Sequence, residues 1–171
     1  MKIGLSSWAY RFAAGTRDVK PAHPLTHCDL LERCSALGAQ VVQICDNMPL
    51  DNLDTATLQS LAVEARRRNL TLEVGTVSTR SEHLLRFIEI ARLLDAHILR
   101  VAEDMKDWRP TIDEMADELR RVLPACRAHG VTIAVENHFA LSTADLAQLM
   151  QKVNDPHVGI CLDTVNSIAR L

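Results

Sequence analysis

Short apolar runs and longer apolar stripes alternate along the chain, and each change of period marks a change of element. Lys2–Ser6 is a short strand-like run. Leu25–Leu37 places Leu30, Leu31, Cys34 and Leu37 on one helical face, with Gly38 as its stop. Gln40–Cys45 is β-branched and reads as a strand. Asp54–Asn69 repeats Leu58, Leu61, Ala62 and Ala65 at helical spacing, and Leu70–Gly75 supplies the third strand. Glu82–Asp95 carries Leu84, Phe87, Ile88, Ala91 and Leu94 on one stripe, followed by a fourth strand at His97–Val101. Thr111 and Glu114 match a capping box that opens a helix to about His129, with Pro124 as a kink point and Gly130 as its end. Val131–Glu136 is the fifth strand. Ser142–Val153 is a helix, closed by the turn Asn154-Asp155-Pro156. Val158–Asp163 is the sixth strand, and Thr164–Leu171 begins another helix.

Six strands alternating with helices, one unit roughly every 30 residues, predict an α/β fold with a parallel sheet and right-handed crossovers. Two architectures satisfy that pattern: an open doubly wound sheet, or a (β/α)8 TIM barrel of which six βα units are present. The doubly wound sheet favours a glycine-rich phosphate loop after the first strand. Here that position reads Ser6-Ser7-Trp8-Ala9-Tyr10-Arg11-Phe12. Polar and charged residues gather instead at several strand ends: Asp46 and Asn47, Glu73, Glu103 and Asp104, Glu136 to His138, and Asp163 with Asn166. Functional groups spread over many strand ends are the barrel arrangement. No linker or low-complexity stretch interrupts residues 1–171, so a single domain is expected.

Composition narrows the function classes. The chain is 47% hydrophobic and 24% charged, enough to bury a core, and its net charge is −3. That balance offers no basic excess to neutralise a nucleic-acid backbone. No apolar run reaches membrane-spanning length, and the N-terminus lacks a signal-peptide core. Five cysteines without close pairing predict reduced, mostly buried thiols in a cytoplasmic protein.

Val131-Thr132-Ile133-Ala134-Val135-Glu136-Asn137-His138 and Val158-Gly159-Ile160-Cys161-Leu162-Asp163-Thr164-Val165-Asn166 resemble the xylose isomerase-like TIM-barrel superfamily, within it the sugar phosphate isomerase/epimerase group. Ile3-Gly4-Leu5-Ser6-Ser7-Trp8 and Glu73-Val74-Gly75 are compatible with it. The resemblance implies that Glu136 and Asp163 are ligands of a divalent metal (Mn²⁺, Mg²⁺, Co²⁺ or Zn²⁺), completed in the family by a His and a Glu from strands seven and eight. Those two strands are expected to be missing from residues 1–171, since the fold typically takes about 250 residues. It also implies a small carbohydrate or polyol substrate. Isomerisation or epimerisation removes a proton alpha to a carbonyl, a step that a metal assists as Lewis acid and a nearby carboxylate as base. Glu136 is the candidate base.

Each candidate also has a plainer reading. Glu136 could be a rim residue or an ion-pair partner. His138, on the same side of its strand as Glu136, is a substrate contact or a supporting group. Asn166 stands where many members of the family carry a substrate-binding His, or it caps the last helix. Arg100 and Glu73, on adjacent strands, are expected to pair inside the barrel, with Arg100 a substrate contact as the alternative. Trp8, Tyr10 and Phe12 could wall a sugar pocket or simply pack. Arg66, Arg67 and Arg68 form the solvated end of their helix. Dehydration of a polyol or enone acid on the same scaffold is the neighbouring activity, and a non-catalytic partial barrel is the alternative of a different class. Apurinic-site endonucleases share the scaffold, but their His after the sixth-strand Asp is replaced by Asn166. Open strand edges predict self-association of the chain into homo-oligomers.

Overall fold

The computed structural model describes residues 2–16, 18–105 and 107–169. It contains β1 (Gly4–Ser6), a 3-10 turn (Ser7–Tyr10), α1 (Arg11–Ala14), α2 (His27–Ala36), β2 (Val41–Ile44), α3 (Thr55–Arg67), β3 (Thr71–Val77), α4 (Ser81–Leu93), β4 (Ile98–Ala102), α5 (Ile112–His129), β5 (Thr132–Glu136), α6 (Thr143–Val153), β6 (Val158–Cys161) and α7 (Thr164–Ala169). The strands lie in one sheet in chain order, β1-β2-β3-β4-β5-β6. This is the expected alternation of strand and helix. The expected seventh helix runs on into residues 170–171, which lie outside the described residues.

Local chemistry sets the element ends. Thr26 with Asp29, Thr111 with Glu114, and Ser142 with Asp145 form reciprocal capping boxes, and Asp54 caps α3. The second helix therefore starts at His27, after its cap, and not at Leu25. Gly130 closes α5 at φ 65°, a left-handed conformation that glycine adopts without steric cost. α5 continues unbroken through Pro124. The sixth strand stops at Cys161, because the Asp163 carboxylate turns the chain into α7. The residues after β1 form a 3-10 turn, for which no apolar period gave a signal. The Ser6 hydroxyl accepts the Trp8 N–H there.

Packing divides the chain into two compact units, residues 1–75 with 90–96, and 76–89 with 97–171. In the first, β1 pairs with β2 and β2 with β3, all parallel. Leu30, Leu31, Val42, Ile44, Leu58, Leu61 and Leu72 are buried there. Gln43 stands opposite Glu73 and donates its amide N–H to that carboxylate at 3.0 Å. Gly75 passes so close to Cys45 that an added Cβ would lie 2.6 Å from its Sγ.

In the second unit, β4 pairs with β5 and β5 with β6, again parallel. Leu99, Val101, Ile133 and Val135 are buried, as are Met115, Leu119 and Val122 of α5 and Leu146 and Leu149 of α6. Burial of each such side chain contributes roughly 1.5–3 kcal/mol. Arg100 stands opposite Ala134, two residues before Glu136 and therefore on the same face as it. The Arg100 guanidinium Nε–H donates to Glu136, forming a buried ion pair. This corrects the expected pairing. The carboxylate on Arg100 is that of Glu136 on β5, while Glu73 takes its hydrogen bond from Gln43. Strand alternation alone does not choose between the two acids as the partner of Arg100.

Of the cysteines, Cys34, Cys45 and Cys126 are buried, Cys161 is half-buried and Cys28 is exposed. Burial, helped by Asp155, pushes the Cys126 thiol up to about 11, which keeps it protonated at neutral pH. Ile160, Leu162, Val165 and Ile168 are exposed at β6 and the segment after it. No helix among the described residues is long and apolar enough to cross a membrane.

Two stability predictions follow from this packing. Gly75→Ala overpacks the β2–β3 contact, and urea denaturation should register a loss of about 1–3 kcal/mol. Combining it with Cys45→Ala, which removes the nearest atom, should recover part of that loss. Arg100→Leu alone leaves a buried carboxylate without its cation and should cost about 3–5 kcal/mol, whereas Arg100→Leu with Glu136→Leu should cost less than either single change. Additive losses in that cycle would show that the two groups do not interact.

Candidate functional site

The site is built at the carboxyl ends of β5 and β6, where the strands hand over to the loops before α6 and α7. Glu136 is the last residue of β5 and is 6% exposed. Its Oε2 accepts from Arg100, and its Oε1 accepts from the Asn166 side-chain amide at 3.2 Å. Asp163 follows β6. Its Oδ1 accepts the backbone N–H groups of Val165 at 2.8 Å and Asn166 at 3.0 Å, the geometry of an N-cap. The helix cap is thus Asp163, and Asn166, read from sequence as a possible cap, reaches the other way to Glu136. Asn166 links the two carboxylates: its main chain holds Asp163 and its side chain holds Glu136.

Asn137 was visible in the sequence only as one of several strand-end polar residues, and it is the clasp of the site. It is buried, its Nδ2 donates to the Asp163 carbonyl at 2.7 Å, and its Oδ1 accepts the Asp163 N–H at 2.6 Å. A side-chain amide that pairs with both backbone groups of one residue fixes that residue as a strand would. No sequence period reports such a contact.

His138 lies just past β5. Its backbone N–H donates to the Glu136 carbonyl at 2.8 Å, and its ring meets Phe139 edge-on at 4.8 Å between centroids. The His138 Nδ1 is buried and has no hydrogen-bond partner among the described residues. In the same unit Glu103, after β4, accepts the Thr79 N–H and hydroxyl on one carboxylate oxygen, at 2.8 and 2.6 Å. Trp8 belongs to the other unit. Its indole N–H donates to Asp46 at 3.2 Å, beside a buried Ser7 whose hydroxyl donates to Asn47 at 2.6 Å and accepts the Cys45 N–H at 2.9 Å.

The structure thus brings Arg100, Glu136, Asp163 and Asn166 into one hydrogen-bonded group, with Asn137 supporting it and His138 at its margin. Among the described residues no group of three or more His, Cys, Asp and Glu side chains is gathered as a metal cluster. The donor chemistry nevertheless fits a hard divalent cation, because two carboxylates held by one asparagine present oxygen ligands. The fit is in kind and not in number. Chemically, the group holds an oriented carboxylate, a guanidinium and two amides at the strand ends, joined to one another and to the Asp163 backbone.

Comparison with known proteins agrees with this architecture. The family described as xylose isomerase-like TIM barrel matches residues 31–170. A 3-oxo-isoapionate decarboxylase of Pectobacterium atrosepticum is 33% identical over 171 residues, covering 100% of this chain and 61% of that protein. The chain therefore spans about three-fifths of that relative's length. Among solved structures, a D-psicose 3-epimerase crystallised with D-fructose superposes with a TM-score of 0.79 at 15% identity, over 99% of this chain and 65% of that one. The IolI protein with a zinc atom gives 0.71 at 16% identity, over 98% and 64%. At these identities the structures speak to fold alone. The family match covers most of the chain, the sheet follows the barrel order, and the chain belongs to the xylose isomerase-like TIM-barrel family.

Proposed function

We propose that this chain is part of a sugar-processing enzyme that forms an enediolate from a small polyhydroxylated carbonyl compound, and that it acts as an isomerase or epimerase. The observation that carries the reading is the buried Glu136 carboxylate at a strand end, tied through Asn166 to Asp163. Glu136 and Asp163 are the residues that would hold a divalent metal. Such an ion supplies Lewis-acid polarisation of the substrate carbonyl. Glu136 takes the proton from the carbon next to the carbonyl. The C–H bonding pair becomes the carbon–carbon double bond of the enediolate, and the carbonyl oxygen receives the negative charge. Isomerisation returns the proton to the neighbouring carbon while the enediolate hydroxyl proton passes to the other oxygen, and epimerisation protonates the same carbon from a donor on its opposite face. Asn166 and Arg100 hold the Glu136 carboxylate in one orientation, which shortens the search for the reactive geometry. His138, beside it, is a substrate contact.

A second reading is decarboxylation of a 3-oxo sugar acid, favoured by the relative that shares a third of the chain's residues. Loss of CO₂ from such an acid leaves the same kind of enolate, so the same groups serve. Here the carbon–carbon bond breaks and Glu136 supplies a proton instead of removing one.

Glu136→Gln should lower turnover at least ~10²-fold in the full-length protein that carries this sequence. Deuterium incorporation into D-fructose from D₂O, followed by NMR in the presence of Mn²⁺, measures the first reading. CO₂ release from a 3-oxo sugar acid measures the second. Gln also removes the charge that pairs with Arg100, so rates are compared at a temperature where both proteins are folded. Wild-type turnover by the Gln variant in both assays would remove Glu136 from the chemistry.

A further inference from the structure

The ladder between β5 and β6 ends with Glu136 opposite Cys161. The Asn137 backbone N–H still reaches the Cys161 carbonyl, at 3.4 Å, and then the chain turns back, with the His138 N–H on the Glu136 carbonyl at 2.8 Å. Asp163 lies two residues past Cys161, beyond the end of the ladder. There the Asn137 side chain takes over: its Nδ2 donates to the Asp163 carbonyl at 2.7 Å and its Oδ1 accepts the Asp163 N–H at 2.6 Å. We propose that Asn137 is a positioning residue for the metal centre, which carries the sheet contact on to Asp163 and fixes the spacing of the two ligands before an ion binds. This rests on the reading of Glu136 and Asp163 as metal ligands and deepens it by naming the residue that sets their separation.

A primary amide presents a donor and an acceptor side by side, which matches the N–H and C=O of one residue. Asn137 is 3% exposed, so water does not compete for these bonds. Asp163 is thus held at two points. Asn137 sets the position of its main chain, and the first turn of α7 sets the direction of its side chain, through the Val165 and Asn166 N–H groups on Oδ1. A carboxylate has lone pairs on both oxygens, so capping a helix leaves it able to ligate. Leu162, which joins β6 to Asp163, is 67% exposed, so burial of that side chain does not fix the stretch, and the amide clasp does. Glu136 is the residue immediately before Asn137. The path from one ligand to the other is therefore one peptide bond and one side chain. Groups that orient metal ligands in this way typically govern affinity 10- to 100-fold, because binding then does not have to order the ligand.

The test uses the full-length protein, with Mn²⁺ as probe. Calorimetric titration should show Asn137→Ala binding Mn²⁺ about 10- to 100-fold more weakly than wild type, at a temperature where both are folded. Amide exchange at Asp163 should be at least ~10-fold faster in that variant without metal. His157→Leu is the control. The His157 Nδ1 bonds the Val131 carbonyl at 2.9 Å, so it joins the same two strands at their other end. Its loss should lower stability and leave Mn²⁺ affinity within about 2-fold of wild type, since the effect stays local. Should Asn137→Ala fail to fold, wild type alone decides. Its Asp163 N–H should be protected without metal to within about 10-fold of the amides inside β5, and Mn²⁺ should add little. An Asp163 N–H that exchanges freely until Mn²⁺ is added overturns the proposal, because the ion is then what orders the residue. Equal Mn²⁺ affinity in Asn137→Ala and wild type, or an equal loss in His157→Leu, overturns it too. Full Mn²⁺ affinity in Asp163→Ala overturns the metal reading instead, and the inference falls with it.

Discussion

A guanidinium and a carboxylate buried against each other between two parallel strands govern the second half of this molecule. Taking both charges out of water is costly, and the cost is recovered only where the geometry is tight and the remaining polar atoms are satisfied. The elements after β5 and β6 meet that demand for the Glu136 carboxylate. Asn166 covers the second oxygen of Glu136, Asp163 closes the start of the last helix, and Asn137 pins Asp163 through both of its backbone groups. The polar cluster is thus a structural device and a chemical one at once. The same contacts that make the ion pair tolerable also fix the direction of the carboxylates.

Much of this was legible in the sequence. Helical stripes and β-branched runs gave all six strands and the main helices. Thr111 with Glu114 announced its capping box outright, and the acids at the ends of strands five and six stood out against apolar flanks. The less legible parts share one physical cause, that they depend on which atoms meet across strands. Glu73 and Glu136 stand on the strands that precede and follow β4 in the sheet order, and periodicity does not rank them as partners of Arg100. Asn137 acts on main-chain atoms 26 residues away, so its neighbours in sequence carry no trace of the role. The 3-10 turn after β1 is held by the Ser6 hydroxyl and the buried Ser7, two small polar residues that read as ordinary loop.

The first unit makes a contrast. Where the second unit solves a charge problem, the first solves a space problem. Gly75 and Cys45 approach so closely that any side chain at position 75 meets sulfur, and the thiol is itself held by Ser6 at 3.4 Å and Gln43 at 3.3 Å. Gln43 in turn reaches Glu73, so packing and hydrogen bonding meet on one short stretch of β2.

The order of the strands has a consequence for how the chain acquires this structure. Each strand from β2 to β6 neighbours the one made just before it, so each of these pairings joins neighbouring parts of the sequence. Pairings of this separation close loops of a single βα unit, which keeps the entropy of closure small and lets native contacts accumulate in the order of synthesis. A ribosome releasing this chain from its N-terminus would extend one sheet edge strand by strand. Assembly of this kind is vectorial, and its direction is written in the topology.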